Sequence, residues 1–144
     1  MKRRRFVHGL AASGMLAFGA PLVPLLAGST GRMKMGLVTY LWGKDWDVTT
    51  LISNCSSAGI LGVELRIEHA HGVGPTLTAS QRLEVRKRFA DSDVVAVGLG
   101  TNQQYDYVEP ERVTESIRMT GEYIKLSHDI GASGVKVKPN AFHE

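Results

Sequence analysis

The sequence predicts an α/β fold in which strands and helices alternate and the strands run parallel. Two observations lead there. The phrase Gly59-Ile60-Leu61-Gly62-Val63-Glu64-Leu65-Arg66 returns seventy-two residues later as Gly131-Ala132-Ser133-Gly134-Val135-Lys136-Val137-Lys138. Each copy follows an amphipathic stretch. Its first glycine reads as the left-handed residue after a helix, and a short β-branched strand begins three residues on. The second observation is the alternation inside those strands. Val63 and Leu65 alternate with Glu64 and Arg66, and Val135 and Val137 with Lys136 and Lys138. A parallel sheet covered on both faces reads as a continuous apolar run. Charge at every second position points instead to one face under helices and another lining a polar interior, as at the C-terminal ends of the strands of a (β/α) barrel of TIM type. An edge strand with a wet face is the plainer account of the same alternation. A doubly wound sheet fits the element order as well.

The elements follow in chain order. Gly36 to Trp42 is apolar with β-branched and aromatic residues and reads as a buried first strand. Asp47 or Thr49 can cap the first helix, whose apolar positions are Leu51, Ile52, Cys55 and Ala58. Gly59 ends it, and the second strand is Gly62 to Ile67. After a loop of Glu68 to Pro75, Thr78 begins a second helix through Leu83, Val85 and Phe89 to Asp91. Arg82, Arg86, Lys87 and Arg88 read as its solvated face. The third strand is Val94 to Leu99. Pro110 lies near the start of a long third helix. Val113, Ile117, Ile124 and Ile130 are its expected buried stripe, and Glu115–Arg118 and Glu122–Lys125 its supporting ion pairs. Gly131 closes it, and the fourth strand is Gly134 to Pro139. Helical crossovers make the sheet parallel.

The chain has 17 basic and 14 acidic residues. Four of the basic residues (Lys2, Arg3, Arg4 and Arg5) fall in residues 1–27, which hold no acid; the remainder has 13 against 14 and no basic stripe. A nucleic-acid partner is therefore not expected. Cys55 is the single cysteine, so no internal disulfide forms; mid-helix, it reads as a small buried filler. At the amino terminus, Arg3-Arg4-Arg5-Phe6-Val7 precedes an apolar run from Gly9 to Ala27 that Pro21 and Pro24 interrupt. This resembles a twin-arginine export signal, with cleavage after Ala27 and a periplasmic or secreted destination. An uncleaved signal is the one membrane attachment expected; a start at Met33 or Met35 is the other reading. Residues 1–31 are assigned to this signal and linker, and 32–144 to the folded domain.

From Met35 onward the chain resembles the sugar phosphate isomerase/epimerase family, the xylose isomerase-like TIM barrels. The resemblance rests on the order and spacing of Gly36-Leu37-Val38-Thr39-Tyr40-Leu41-Trp42, Gly62-Val63-Glu64-Leu65-Arg66, His69-Ala70-His71-Gly72-Val73 and Gly134-Val135-Lys136-Val137-Lys138-Pro139-Asn140. It implies an eight-stranded barrel with a divalent metal (Mn, Mg or Zn) at its C-terminal mouth. It also implies metal-assisted proton transfer on a ketose, aldose or related polyol. The chain departs from that pattern in length. A barrel takes about 250 residues, and at the least about 200, against 144 here. The expectation is an N-terminal half of the barrel, with about four strands and three helices, truncated and inactive alone. No metal ligand is assigned, and no cofactor is expected for this chain by itself. A homodimer completing the barrel, or a non-catalytic sugar-binding or self-assembling module, is the alternative. A small doubly wound domain is the third reading, against which stands the absence of a Gly-rich phosphate loop after strand 1.

The candidate substrate-binding residues are those near strand ends. Tyr40 and Trp42 stand at the end of strand 1, as walls of a sugar site or as core aromatics. Glu64 and Arg66 contact substrate hydroxyls or pair with each other. His69 and His71, separated by one residue just past strand 2, can face one metal ion or substrate, or simply stand exposed. Asn102 follows strand 3. Lys136, Lys138 and Asn140 stand on or after strand 4, where a lysine meets a substrate oxygen or phosphate.

Overall fold

The computed structural model describes residues 33–138. The segment expected to be an export signal, Pro139 and the candidate Asn140 lie outside that range. Seven elements alternate: β1 (Gly36–Val38), α1 (Val48–Ser57), β2 (Gly62–Arg66), α2 (Ala79–Ala90), β3 (Val95–Gly100), α3 (Pro110–Asp129) and β4 (Val135–Lys136). The four strands form one parallel sheet in the order β1-β2-β3-β4, with no reversal of strand order. All three helices share one core with alternate strand residues. Leu51 and Cys55 of α1, Val85 and Phe89 of α2, and Tyr123 and Leu126 of α3 pack with Val63, Leu65, Ala96 and Leu99.

The helix ends form as their residues dictate. Asp47 Oδ1 accepts the Thr50 N–H at 2.7 Å, capping α1; Thr49 instead accepts from Arg88. Thr78 and Gln81 close a reciprocal capping box on α2. Pro110 opens α3, where its missing N–H costs nothing. Both copies of the repeat end their helices in the same way. Gly59 and Gly131 have φ of 69° and 78°. The Gly59 N–H bonds Ser56 O and the Ile60 N–H bonds Cys55 O; Gly131 bonds His128 O and Ala132 bonds Ser127 O. This is the paired closure of a Schellman motif, open to glycine because a Cβ would clash at positive φ.

Three expectations are corrected. The first strand is three residues long, not seven. The chain turns at Thr39 and Tyr40, where the Tyr40 N–H reaches back to Val38 O. Tyr40, Leu41 and Trp42 are exposed rather than buried. Of the expected α3 stripe Ile130 is buried at the helix end, but Ile117 and Ile124 are more than half exposed, and the buried positions within the helix are Ser116, Tyr123, Leu126 and Ser127. Small polar residues sit inward because Thr120 and Ser127 satisfy their hydroxyls on the backbone carbonyls of Ser116 and Gly134. On α2, Arg82 is not solvated. Its guanidinium donates to Leu77 O, Pro75 O and Asp129, with the side chain only 14% exposed. Leu83 is exposed instead.

Candidate functional site

Among the described residues, one face of the sheet carries no helix. Residues opposite the core positions line it: Val38 of β1, Glu64 and Arg66 of β2, Val95 and Gly100 of β3, and Lys136 of β4, as the register of paired strands requires. A bulge on β3 sets Val97 beside this face, its Cγ2 3.0 Å from where a Cβ on Gly62 would stand. All strands point the same way, so Arg66, Lys138 and the residues after β1 and β3 gather at one rim.

A polar cluster occupies that rim. Arg66 Nη2 donates to Asn102 Oδ1 at 3.0 Å, and Lys138 Nζ donates to the same oxygen at 2.9 Å. The guanidinium also lies over the Tyr40 ring, 5.1 Å from its centroid. Lys136 forms a close ion pair with Glu64. Glu64 and Arg66 therefore do not pair with each other; each finds its partner two strands or one loop away. Among the described residues, Arg66 Nε is a buried donor without a hydrogen-bond partner. An unmatched buried donor marks a place where a polar group belongs. The cluster carries three cationic side chains and one carboxylate, with an amide oxygen shared between two of the cations.

Gly100 makes the Glu64–Lys136 pair possible. It is the β3 partner of Arg66 on one side and of Lys136 on the other. A Cβ there would stand 2.7 Å from Glu64 Oε1 and 3.0 Å from Arg66 Cδ. With no side chain on β3 at this level, β2 and β4 side chains meet across it. The two copies of the sequence repeat thus touch through Glu64 and Lys136.

Two buried threonines fix the strand ends. Thr39 Oγ1 accepts the Arg66 N–H at 2.9 Å and lies 3.3 Å from His69 Nδ1. Thr101 Oγ1 donates to Lys136 O at 2.8 Å. Each ties a loop to the neighbouring strand and so sets the height of Arg66 or Lys136. Thr39, Thr101 and Gly100 were not among the sequence candidates. Their signal was weak: a β-branched hydroxyl immediately after a strand, and a glycine closing one.

The histidines divide. His71 is buried, and both ring nitrogens are engaged. Nε2–H donates to Arg66 O at 2.8 Å, and Nδ1 accepts the Val73 N–H at 3.0 Å. Burial, with a smaller contribution from His69, lowers its pKa. His71 therefore braces the loop after β2 and has no nitrogen left for a metal. His69, 6.2 Å away between ring centroids, is half-buried and lines a groove described below. Trp42 is exposed and makes no ring contact with the cluster among the described residues. Burial raises the pKa of Cys55, so the thiol is packed and protonated.

Among the described residues no three His, Cys, Asp or Glu side chains converge as a metal site. His71 is occupied, and Glu64 is held by Lys136. Among the same residues, no helix is long and apolar enough to cross a membrane. Compared with protein-family models and with characterised proteins, the chain matches none.

Proposed function

We propose that this chain contributes the first four strands of a xylose isomerase-like (β/α) barrel belonging to an exported sugar or sugar phosphate isomerase/epimerase, and that its helix-free face binds the oxygens of a sugar or polyol. One observation carries the reading. A parallel sheet in sequential order, with its helices in a single core, presents at its C-terminal rim a cluster of Arg66, Asn102, Lys136, Lys138 and Glu64. The rim beyond the strand C-termini is where (β/α) enzymes hold substrate. The strand order supports this over a doubly wound sheet, whose order reverses at a switch point.

The residues have separable roles. Arg66 is preoriented by Tyr40 and Asn102, so its fork meets a ligand oxygen with little ordering left to lose. Lys136 and Lys138 supply charge toward a hydroxylate, carboxylate or phosphate oxygen. Asn102 arranges two cations on one oxygen. Proton transfer between neighbouring carbons needs a base and a polarising group. The described residues bind and orient, and this chain alone is expected to turn over no substrate.

Titration of the amide spectrum with fructose 6-phosphate tests the reading. Shifts at residues 64–66, 100–102 and 136–138, with a Kd on the order of 1 mM, are expected, and Arg66→Met should abolish them. Shifts absent from this face, or unchanged in Arg66→Met, would refute it. Metal analysis of the same sample should return no stoichiometric Mn, Mg or Zn; one-to-one metal would place ligands that the sugar-orienting reading omits. A self-assembling module is the second reading. Val38, Val95 and Val97 favour it, since they leave the same face partly apolar and exposed.

A further inference from the structure

A groove of about 400 Å³ opens on the other side of the β2 rim, between the loop 67–76 and α3. Its walls include Val73, Pro75 and Met119, and its polar lining is Glu68, His69, Thr76 and Tyr123. It shares no lining residue with the Arg66–Asn102–Lys136 cluster. Glu68 is its one carboxylate, and no cationic side chain of lysine or arginine lines it. Glu68 is also the one described non-glycine residue at positive φ, 77°. A side chain in that region costs on the order of 1 kcal/mol, and such strain collects where a residue is held for use.

The groove's remaining polarity has a defined sense. Thr39 is fully buried, and its Oγ1 already accepts the Arg66 N–H. Its own proton needs an acceptor, and His69 Nδ1 at 3.3 Å is the one at hand. Neutral His69 then carries its proton on Nε2 and offers a donor. Tyr123 is buried at the back, where burial first and the Glu68 charge second raise its pKa. Arg82 anchors the loop by holding Pro75 O and Leu77 O at 2.8 and 3.0 Å.

From the carboxylate, the imidazole donor and the apolar walls, we infer that this groove is a second ligand site, selective for a small protonated amine that bears hydroxyls, such as an amino sugar. The ammonium meets Glu68, a hydroxyl oxygen accepts from His69, and the C–H face of the ring lies on Pro75 and Met119.

Amide spectra of the full chain titrated with glucosamine, glucose and gluconate test this. Glucosamine should shift residues 67–76 and 119–123. Glucose and gluconate should bind there at least about tenfold more weakly, the factor expected of one exposed charge-assisted contact. Glu68→Gln should lose the preference. Glu68→Gly, which suits the positive φ, should raise the melting temperature while losing glucosamine, separating binding from folding. Equal shifts with glucose, or glucosamine affinity retained in Glu68→Gln, would overturn the inference. Shifts confined to residues 64–66 and 136–138 would overturn it too, leaving the open-face reading intact.

Discussion

Burial keeps the His71 ring neutral while its two nitrogens bridge Arg66 O and the Val73 N–H. The folded pKa lies below the ordinary 6.5. As pH falls below that value, the unfolded chain takes a proton that the folded chain refuses. Stability present at neutral pH is therefore lost on acidification, down to the folded pKa. Urea unfolding of His71→Gln should show a smaller loss between about pH 7.5 and 5, the window that brackets a free imidazole; an equal loss would assign the pH dependence elsewhere. At Gly100 the argument is steric. A Cβ meets side-chain atoms of Glu64 and Arg66 and not backbone. Gly100→Ala should change stability by about 1 kcal/mol or less. It should displace Glu64 from Lys136 and weaken sugar binding on the open face, read as smaller amide shifts at equal ligand. The sequence hinted at this glycine only by its place at a strand's end. Its requirement comes from two strands that are its neighbours only once the sheet has formed.

At the scale of elements, Arg82 is the cross-link between the loop after β2, α2 and the end of α3. Two carbonyls and Asp129 accept from it. The bond from Arg82 holds the Asp129 carboxyl below its usual range, but Asp129 is 43% exposed, so water screens the ion pair and the carbonyl bonds matter more. Arg82→Ala should cost about 2 kcal/mol in a urea midpoint measurement. Arg82→Lys should recover little of it, since one ammonium cannot span the fork. Caps, helix ends and strand cores were legible in the sequence because they depend on neighbours three or four residues away. Asp47, Thr78, Gly59 and Gly131 act locally, and they act as read. The face of α3 was not legible. Ile117 and Ile124 kept helical spacing, yet the side that met the sheet was the one carrying Tyr123 and Leu126. Packing chose between two sides of one helix, and periodicity alone does not.

For the whole described sheet, the open face is the defining feature. Parallel sheets are ordinarily covered on both sides, and this one leaves Val38, Val95 and Val97 partly exposed beside the polar cluster. Exposed apolar surface of this kind favours association. The sedimentation coefficient of the chain should rise with concentration, and the pair Val95→Thr with Val97→Thr should suppress the rise; a monomer at all concentrations would remove the self-assembling reading. The repeat beginning at Gly59 and Gly131, the order of elements and the alternation of Glu64, Arg66, Lys136 and Lys138 were already present in the linear chain, since local turns and side-chain periodicity obey short-range sterics. Which charges meet was settled by folding. Glu64 found Lys136 and Arg66 found Asn102 because parallel strands bring distant positions to one rim, and the free space above Gly100 exists only between assembled strands.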